Sequence, residues 1–452
     1  MVNTVNTREL VLDMLMALEK GETFSHKLLK ATLDKYDYLE RKDKAFMKRI
    51  VEGTLERQLY LDFIINSYSN TPVNKMKPLI RCLLRMSTYQ LLFMQVPDRA
   101  VCNEAVKLAA KRKFVNLKGF VNGVLRKIAA SKDNLPVPSR TDMTTYLSIT
   151  YSMPVWLVEK WLKELGAETT EGLLKHFLEV SPVTVRIRES VSREDKEALL
   201  NGMQEQGIEV TKHPYLDYAY TLGHLEGMHQ VPGFSKGLLT VQDVSSMLAV
   251  EAAGIQPGQT ILDVCAAPGG KTMLAAEKTG PKGLVIARDL SDMKVSFIEE
   301  NAGRMCLDQV RVQVWDATVP DPSMIEKADV VIADLPCSGL GIMGKKQDIK
   351  YHITPESFEE LRMLQRQILD VVTRYVKPGG TLIYSTCTIN PMENEDNRRY
   401  ILEKPEFEAV SLDACIPEAL HSQTTREGYL QLIPAKHLTD GFFISKFYKK
   451  AK

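Results

Sequence analysis

The sequence predicts three domains in series: an all-α bundle over residues 1–135, a small α/β unit over 136–236 and a doubly wound α/β sheet over 237–452. Three observations predict it. Apolar residues recur at helical spacing from Arg8 to about Ala130; a polar, proline-bearing stretch from Ser131 to Arg140 interrupts them; and from Gly237 onward short β-rich runs alternate with helical patterns. A chain of 452 residues also exceeds one ordinary core, since domains average roughly 150 residues.

In the first segment, Leu10, Val11, Met14, Leu15 and Leu18 share one helix face, as do Phe46, Ile50, Leu55 and Leu59. Ile80, Leu83, Leu84, Leu91 and Leu92 predict a strongly buried helix that ends before Pro97, with another helix starting near Val101. In the second segment, Trp156 to Glu164 reads as a helix and Val183, Val185 and Ile187 as a strand. Ser192, with Asp195 three residues on, opens a further helix, and Ile208-Glu209-Val210 follows as a strand, so the unit reads as βαβ-like. In the third segment, strands are expected at Thr260–Val264, Leu284–Arg288, Val310–Val314, Val330–Ala333, Thr381–Ser385 and Phe442–Phe447, forming a parallel sheet covered on both faces. Ligands in such sheets bind beyond the carboxyl ends of the strands.

Composition narrows the function classes. Hydrophobic residues make up 44% and charged residues 25%, as in soluble globular proteins, and no apolar run reaches the roughly 18 residues that cross a bilayer. The start of the chain, Met1 to Glu9, lacks a basic region followed by an apolar one, so no secretory signal is expected. Seven scattered cysteines without metal-ligand spacing argue against a disulfide framework and a zinc site, and fit a reducing cytoplasm. The net charge of +1 hides an asymmetry. Residues 1–130 hold 23 Lys and Arg against 13 Asp and Glu, leaving 35 against 44 in the remainder. The basic clusters Lys42, Lys44, Lys48, Arg49 and Lys111, Arg112, Lys113, Lys118 could face RNA phosphates, or form a solvated helical surface.

The residues that carry chemistry fall at predicted strand ends. The loop Cys265-Ala266-Ala267-Pro268-Gly269-Gly270-Lys271 joins a strand to a helix, so its backbone allows close approach and the helix amides favour an anionic group such as a carboxylate. It has neither dinucleotide-fold nor P-loop spacing. Asp289, closing the next strand, could accept from ribose hydroxyls, and Asp316, closing the third, from an adenine edge; singly, such a residue is more often a turn or helix cap, but their shared position at successive strand ends favours the cofactor reading. Asp334 precedes Cys337 by three residues in Asp334-Leu335-Pro336-Cys337-Ser338-Gly339, and Cys387 ends Tyr384-Ser385-Thr386-Cys387. Two loop thiols beside a donor loop point to methylation at a pyrimidine carbon, because C5 of cytosine is a poor nucleophile until a thiolate adds at C6. A carboxylate such as Asp334, facing the N3 and exocyclic amine edge, would ease that addition; Lys271, opening a helix, reads equally as electrostatic support or as a surface residue. Cys82, Cys102, Cys306 and Cys415 read as inert core, and Cys265 as lining or packing. A non-catalytic RNA-binding factor, or a methyltransferase acting on small molecules or proteins, is the competing class; the second needs the donor loop but neither loop cysteine.

At these residues the chain resembles the RNA cytosine-C5 methyltransferases of the Sun (RsmB) type, which include the nucleolar NOP/Sun enzymes. The likeness runs from about Trp156 onward and takes in Val241-Gln242-Asp243 and Asp440-Gly441-Phe442-Phe443; the basic segment before Ala130 resembles the NusB fold. The resemblance implies a NusB-like RNA-binding domain, a small linker domain and a Rossmann-like class I methyltransferase domain. It further implies S-adenosylmethionine as cofactor, 16S ribosomal RNA as partner, and a cytoplasmic enzyme, expected to be monomeric and to need no metal. By the same resemblance Cys387 is the nucleophile and Cys337 the thiol that assists release. Cys265, Ala266, Ala267, Pro268, Gly269, Gly270, Lys271, Asp289, Asp316 and Asp334 are then the residues that contact the cofactor.

Overall fold

The computed structural model describes residues 5–21, 23–179, 182–225 and 227–451. Met1–Thr4, on which part of the leader reading rests, lies outside them. The chain forms two compact units, Met1–Glu179 with Met343–His352, and Val180–Ile342 with Ile353–Lys452.

The first unit is helical. Seven helices, Thr7–Leu18, Ser25–Lys35, Arg41–Glu56, Gln58–Tyr68, Pro78–Phe93, Asp98–Lys111 and Lys118–Ala130, surround one apolar core. Pro78–Phe93 is the central helix: twelve of its sixteen residues are buried, including Ile80, Leu83, Leu84 and Leu91 as expected and also the polar Arg85, Ser87, Thr88 and Gln90, and it ends before Pro97. It packs closely on Arg41–Glu56 at Gly53, where a Cβ would lie 2.0 Å from the Tyr89 ring. Helices Met143–Thr150, Val155–Leu165 and Ala167–His176 extend the same unit. Asp142 caps the first of these through the Thr144 N–H. The basic clusters are in part ion-paired: Lys111 and Arg112 reach Glu9 and Asp13, Lys42 reaches Glu40, and Lys48 lies 3.9 Å from Glu52. The excess positive charge of this segment is thus partly neutralised by its own acids.

The second unit carries all twelve strands among the described residues. A four-stranded antiparallel sheet is built from β1 (Val183–Ile187), β2 (Glu209–Lys212), β3 (Ala219–Gly223) and β4 (Leu239–Val241), in the order β2-β3-β1-β4. The helix Arg193–Glu205 crosses between β1 and β2, and Ser192 caps it through the Asp195 N–H as expected. Two of its strands, β3 and β4, were not read from the sequence, and the pairing is antiparallel throughout. The helices up to His176 belong to the first compact unit, and β4 hydrogen-bonds to β1.

The large sheet contains β5 (Thr260–Asp263), β6 (Leu284–Asp289), β7 (Val310–Val314), β8 (Ala328–Asp334), β9 (Val376–Thr386), β10 (Phe407–Ala409), β11 (Tyr429–Leu432) and β12 (Phe442–Lys449). Its order is β10-β12-β9-β8-β5-β6-β7, with β11 also on β12. Strands β9-β8-β5-β6-β7 are parallel, whereas β12 is antiparallel to β9, β10 and β11, so the expected all-parallel sheet is mixed. Successive residues on the central strands enter opposite cores. Ile261, Ile383 and Ile444 join the helices around Leu248 and Leu274, while Leu262, Leu382 and Phe443 join Ile368 and Leu369. Strand order reverses at β5, and this switch point opens a crevice at the carboxyl ends of β5 and β8. The small sheet is tied to this domain by Arg186, fully buried, which pairs with Glu277 and Gln242, and by Arg188, 3.0 Å from Glu277.

Candidate active site

The glycine loop leaves β5 and enters the helix Gly270–Thr279. Gly269 sits at φ +105°, a conformation that L side chains rarely adopt, and no side chain caps the helix start. The amides of its first turn are therefore free for an anion. The Ala267–Pro268 peptide is cis. The loop is anchored from the next strand, where Asp289 at the end of β6 accepts from the Ala267 N–H at 2.9 Å, the Leu290 N–H at 2.7 Å and Lys294 at 2.9 Å. Beneath the loop, Asp263 accepts from the Thr272 hydroxyl at 2.7 Å, and its Oδ1 is buried with no hydrogen-bond partner among the described residues. Burial pushes its carboxyl up to about 7. The sequence reading placed Asp263 inside a strand running to Val264 and did not single it out; the structure ends β5 at Asp263, next to the glycine loop.

Cys265 is half-buried and packs against the core on one face of the sheet; burial, followed by the nearby Asp289, raises its thiol well above the ordinary range. Lys271 points away from the helix start, with Nζ 2.6 Å from Asp334 and 3.3 Å from the Ser246 hydroxyl, above the Phe442 ring. Burial alone would lower its pKa; the Asp334 carboxylate first, with Asp263 and Cys387, more than offsets this, so the pKa is raised. Asp334 also accepts from the Ser385 hydroxyl at 2.9 Å. Asp316 is exposed, and one carboxylate oxygen accepts from the Thr318 N–H and hydroxyl, the turn-capping alternative; those bonds hold its pKa below the ordinary value.

Strands β8 and β9 are parallel neighbours with Asp334 opposite Ser385, so the two loops that follow run side by side. This adjacency brings the Cys337 and Cys387 sulfurs within 3.2 Å, both as free thiols. The Cys337 thiol is pushed well above its ordinary range, first by its hydrogen bond to Cys387, then by burial and the nearby negative charge of Glu393. Behind the thiols the backbone is tightly packed. The Gly341 N–H donates to Cys387 O at 3.0 Å, and the Gly441 N–H to Gly341 O at 2.9 Å. A Cβ on Gly341 would lie 1.8 Å from Gly441 O, and a Cβ on Gly441 2.6 Å from Gly341 Cα, which explains the glycine of Asp440-Gly441-Phe442-Phe443. Among the remaining cysteines, Cys82 and Cys102 are core, but Cys415 is half-buried and Cys306 is exposed. Cys306 is not core because it ends the helix Asp292–Met305 in the left-handed conformation. Among the described residues no group of three or more His, Cys, Asp or Glu could hold a metal ion, and no helix is long and apolar enough to cross a membrane.

Three family models match the chain: the NusB family over residues 5–130, the ferredoxin-like domain of the RsmF/B-like methyltransferases over 153–225, and 16S rRNA methyltransferase RsmB/F over 251–448. A probable ribosomal RNA small subunit methyltransferase B of Bacillus subtilis (strain 168) is 36% identical, covering 98% of this chain and 99% of its own. The ribosomal RNA small subunit methyltransferase B of Cronobacter sakazakii is 31% identical over the full length of both. The solved structure of PH0851 superposes with a TM-score of 0.80 at 25% identity, covering 99% of each chain. With the site geometry, these matches place the chain in the RsmB/F family of S-adenosylmethionine-dependent methyltransferases, with its NusB-like and ferredoxin-like domains.

Proposed function

We propose that this protein transfers a methyl group to C5 of one cytosine in 16S ribosomal RNA through a transient bond between a cysteine and C6. The observation that carries the reading is the pair of free thiols, 3.2 Å apart, beside the Asp334–Lys271 ion pair at the carboxyl ends of β8 and β9. Neither methyl transfer to an amine nor RNA binding alone requires two such thiols. The names of the similar proteins support ribosomal RNA as the substrate.

The residues around the crevice fit S-adenosylmethionine. The uncapped helix start at Gly270 suits the methionyl carboxylate, the buried and unpartnered Asp263 Oδ1 suits its ammonium, and Asp289 has acceptor capacity for the ribose hydroxyls. When bound, the cofactor supplies the electrophilic methyl. In the proposed sequence the Cys387 thiolate forms the bond to C6, while Asp334 accepts from the exocyclic amine edge and Lys271 holds that carboxylate in place. C5 takes the methyl, a base removes its proton, and the sulfur–C6 bond breaks to release Cys387 and the methylated base. Cys337, whose thiol retains its proton against a raised pKa, assists this last step. Because the base must be reached on both an edge and a face, the target cytosine is single-stranded or flipped out of its stack.

The test is transfer of labelled methyl from S-adenosylmethionine to deproteinised, unmodified 16S RNA, with nucleoside digestion. Label in 5-methylcytidine at one position is expected. Cys387→Ala should abolish transfer, and Cys337→Ala should accumulate a covalent protein–RNA adduct. An adduct trapped by Cys387→Ala instead would reverse the two roles, and label in another nucleoside would overturn the reaction.

A further inference from the structure

The carboxylate of Glu393 is fully buried six residues beyond Cys387, and apart from helping to raise the Cys337 pKa it has no part in the steps above. Its Oε2 accepts from the Ser338 N–H at 2.8 Å and Gln365 Nε2 at 3.0 Å; its Oε1 accepts from the Ser338 hydroxyl at 2.5 Å and Asn390 Nδ2 at 2.9 Å. Gln365 Nε2 also donates to Pro336 O at 2.9 Å, so both chain neighbours of Cys337 are held by the same cluster. From the other loop, the Thr388 hydroxyl lies 2.7 Å from that of Ser338. The backbone carbonyl of Glu393 is itself fixed by the Tyr384 hydroxyl and Asn397.

We propose that Glu393 is a positioning residue that clamps the Cys337 loop against the Cys387 loop and so sets the distance between the two thiols. This inference rests on the reading that both thiols act in one reaction. A carboxylate offers about four lone-pair sites, and protein donors take all four, leaving none for a substrate. Glu393 therefore acts through the loops and not on the base. The strand ladder stops at Asp334 and Ser385; beyond it the loops share the backbone bonds Leu335 N–H to Ser385 O and Gly341 N–H to Cys387 O, and between these two the buried carboxylate holds the residues on either side of Cys337. A buried, charge-assisted cluster suits this task, since each bond to a carboxylate is stronger than a neutral one and its loss leaves several donors unpaired.

Thiol apposition can be read without RNA. Treatment of the full-length protein with diamide oxidises two adjacent thiols to a disulfide: the sulfurs lose two protons and two electrons, and the diazene becomes the hydrazine. Mass spectrometry of the Cys337–Cys387 peptide gives the rate. Glu393→Ala is expected to slow crosslinking at least tenfold and Ser338→Ala, which removes only the hydroxyl, about threefold. Both should bind S-adenosylmethionine within twofold of the parent, a sign that the domain is folded. On 16S RNA the same variants should lower kcat at unchanged KM, with adduct accumulating as release slows. Parental crosslinking in folded Glu393→Ala overturns the proposal. If that variant fails to fold, parental crosslinking in Ser338→Ala overturns it. Slowed crosslinking in the variants of a protein that methylates no RNA would keep the clamp and discard the proposed reaction.

Discussion

Lys350 is a buried ammonium within the helical unit, donating to the backbone carbonyls of Glu56 and Ser152, each at 2.6 Å. It thereby ties the segment Met343–His352 to the C-terminal end of the helix Arg41–Glu56. Burial pushes its pKa down to about 7, with Glu56 opposing the shift and Arg57 adding to it. In the unfolded chain the same group titrates near 10.4. Between the two values the unfolded chain binds the extra proton, so the lysine makes stability rise with pH, by about 2 kcal/mol from pH 7 to 9. Buried thiols work the other way: Cys82 is pushed up to about 12 by burial, then Glu19, and its unfolded counterpart ionises first as pH rises. Comparing the parent with Lys350→Met cancels the thiols. The assay is urea unfolding of full-length protein in a Trp315→Phe background, where fluorescence comes only from Trp156 and Trp161 of the helical unit. The stability of the parent minus that of Lys350→Met should increase by about 2 kcal/mol from pH 7 to 9. Parallel curves across that range would refute the argument, since they would mean that Lys350 has the same proton affinity folded and unfolded.

The other predictions concern the second unit. Gly341→Ala places a Cβ 1.8 Å from Gly441 O, so the loops behind the thiols must separate; methyl transfer should fall at least a hundredfold, and calorimetry should show a lower melting temperature. Asp289→Ala removes the acceptor of the Ala267 N–H and should weaken S-adenosylmethionine binding about tenfold by titration calorimetry, the equivalent of about 1.4 kcal/mol. Asp316→Ala, at an exposed turn, should change that affinity less than threefold; a larger loss would mean that the free carboxylate oxygen contacts the adenine. Arg186→Met leaves Glu277 buried with Arg188 as its remaining guanidinium neighbour, and should lower stability by about 2–4 kcal/mol in denaturant unfolding followed by far-UV circular dichroism.

What the sequence determined by itself was local. Apolar spacing marked the buried helix Pro78–Phe93, the Ser192 cap marked its helix, and β-rich runs marked six strands of the large sheet, because each signal lies within a few residues of the element it specifies. The glycine loop and both loop cysteines stood out for the same reason: each lies just past a predicted strand end, and ligands of such sheets bind beyond those ends. The short strands β3, β4, β10 and β11 were not legible, since a run of three to five residues carries too little periodicity to stand out from loop. The direction of β12 was equally hidden, because alternation reads the same in a parallel or an antiparallel strand. Tertiary structure alone decided which side chains meet. Fifty residues separate Cys337 from Cys387, and only the pairing of β8 with β9 brings their sulfurs together. Lys271 turned to Asp334, Asp316 turned to its own loop, and Glu393 became a hub for two loops through donors spread from Ser338 to Asn390. Such contacts depend on distances across the sheet, and a linear pattern of residue types carries no information about distance.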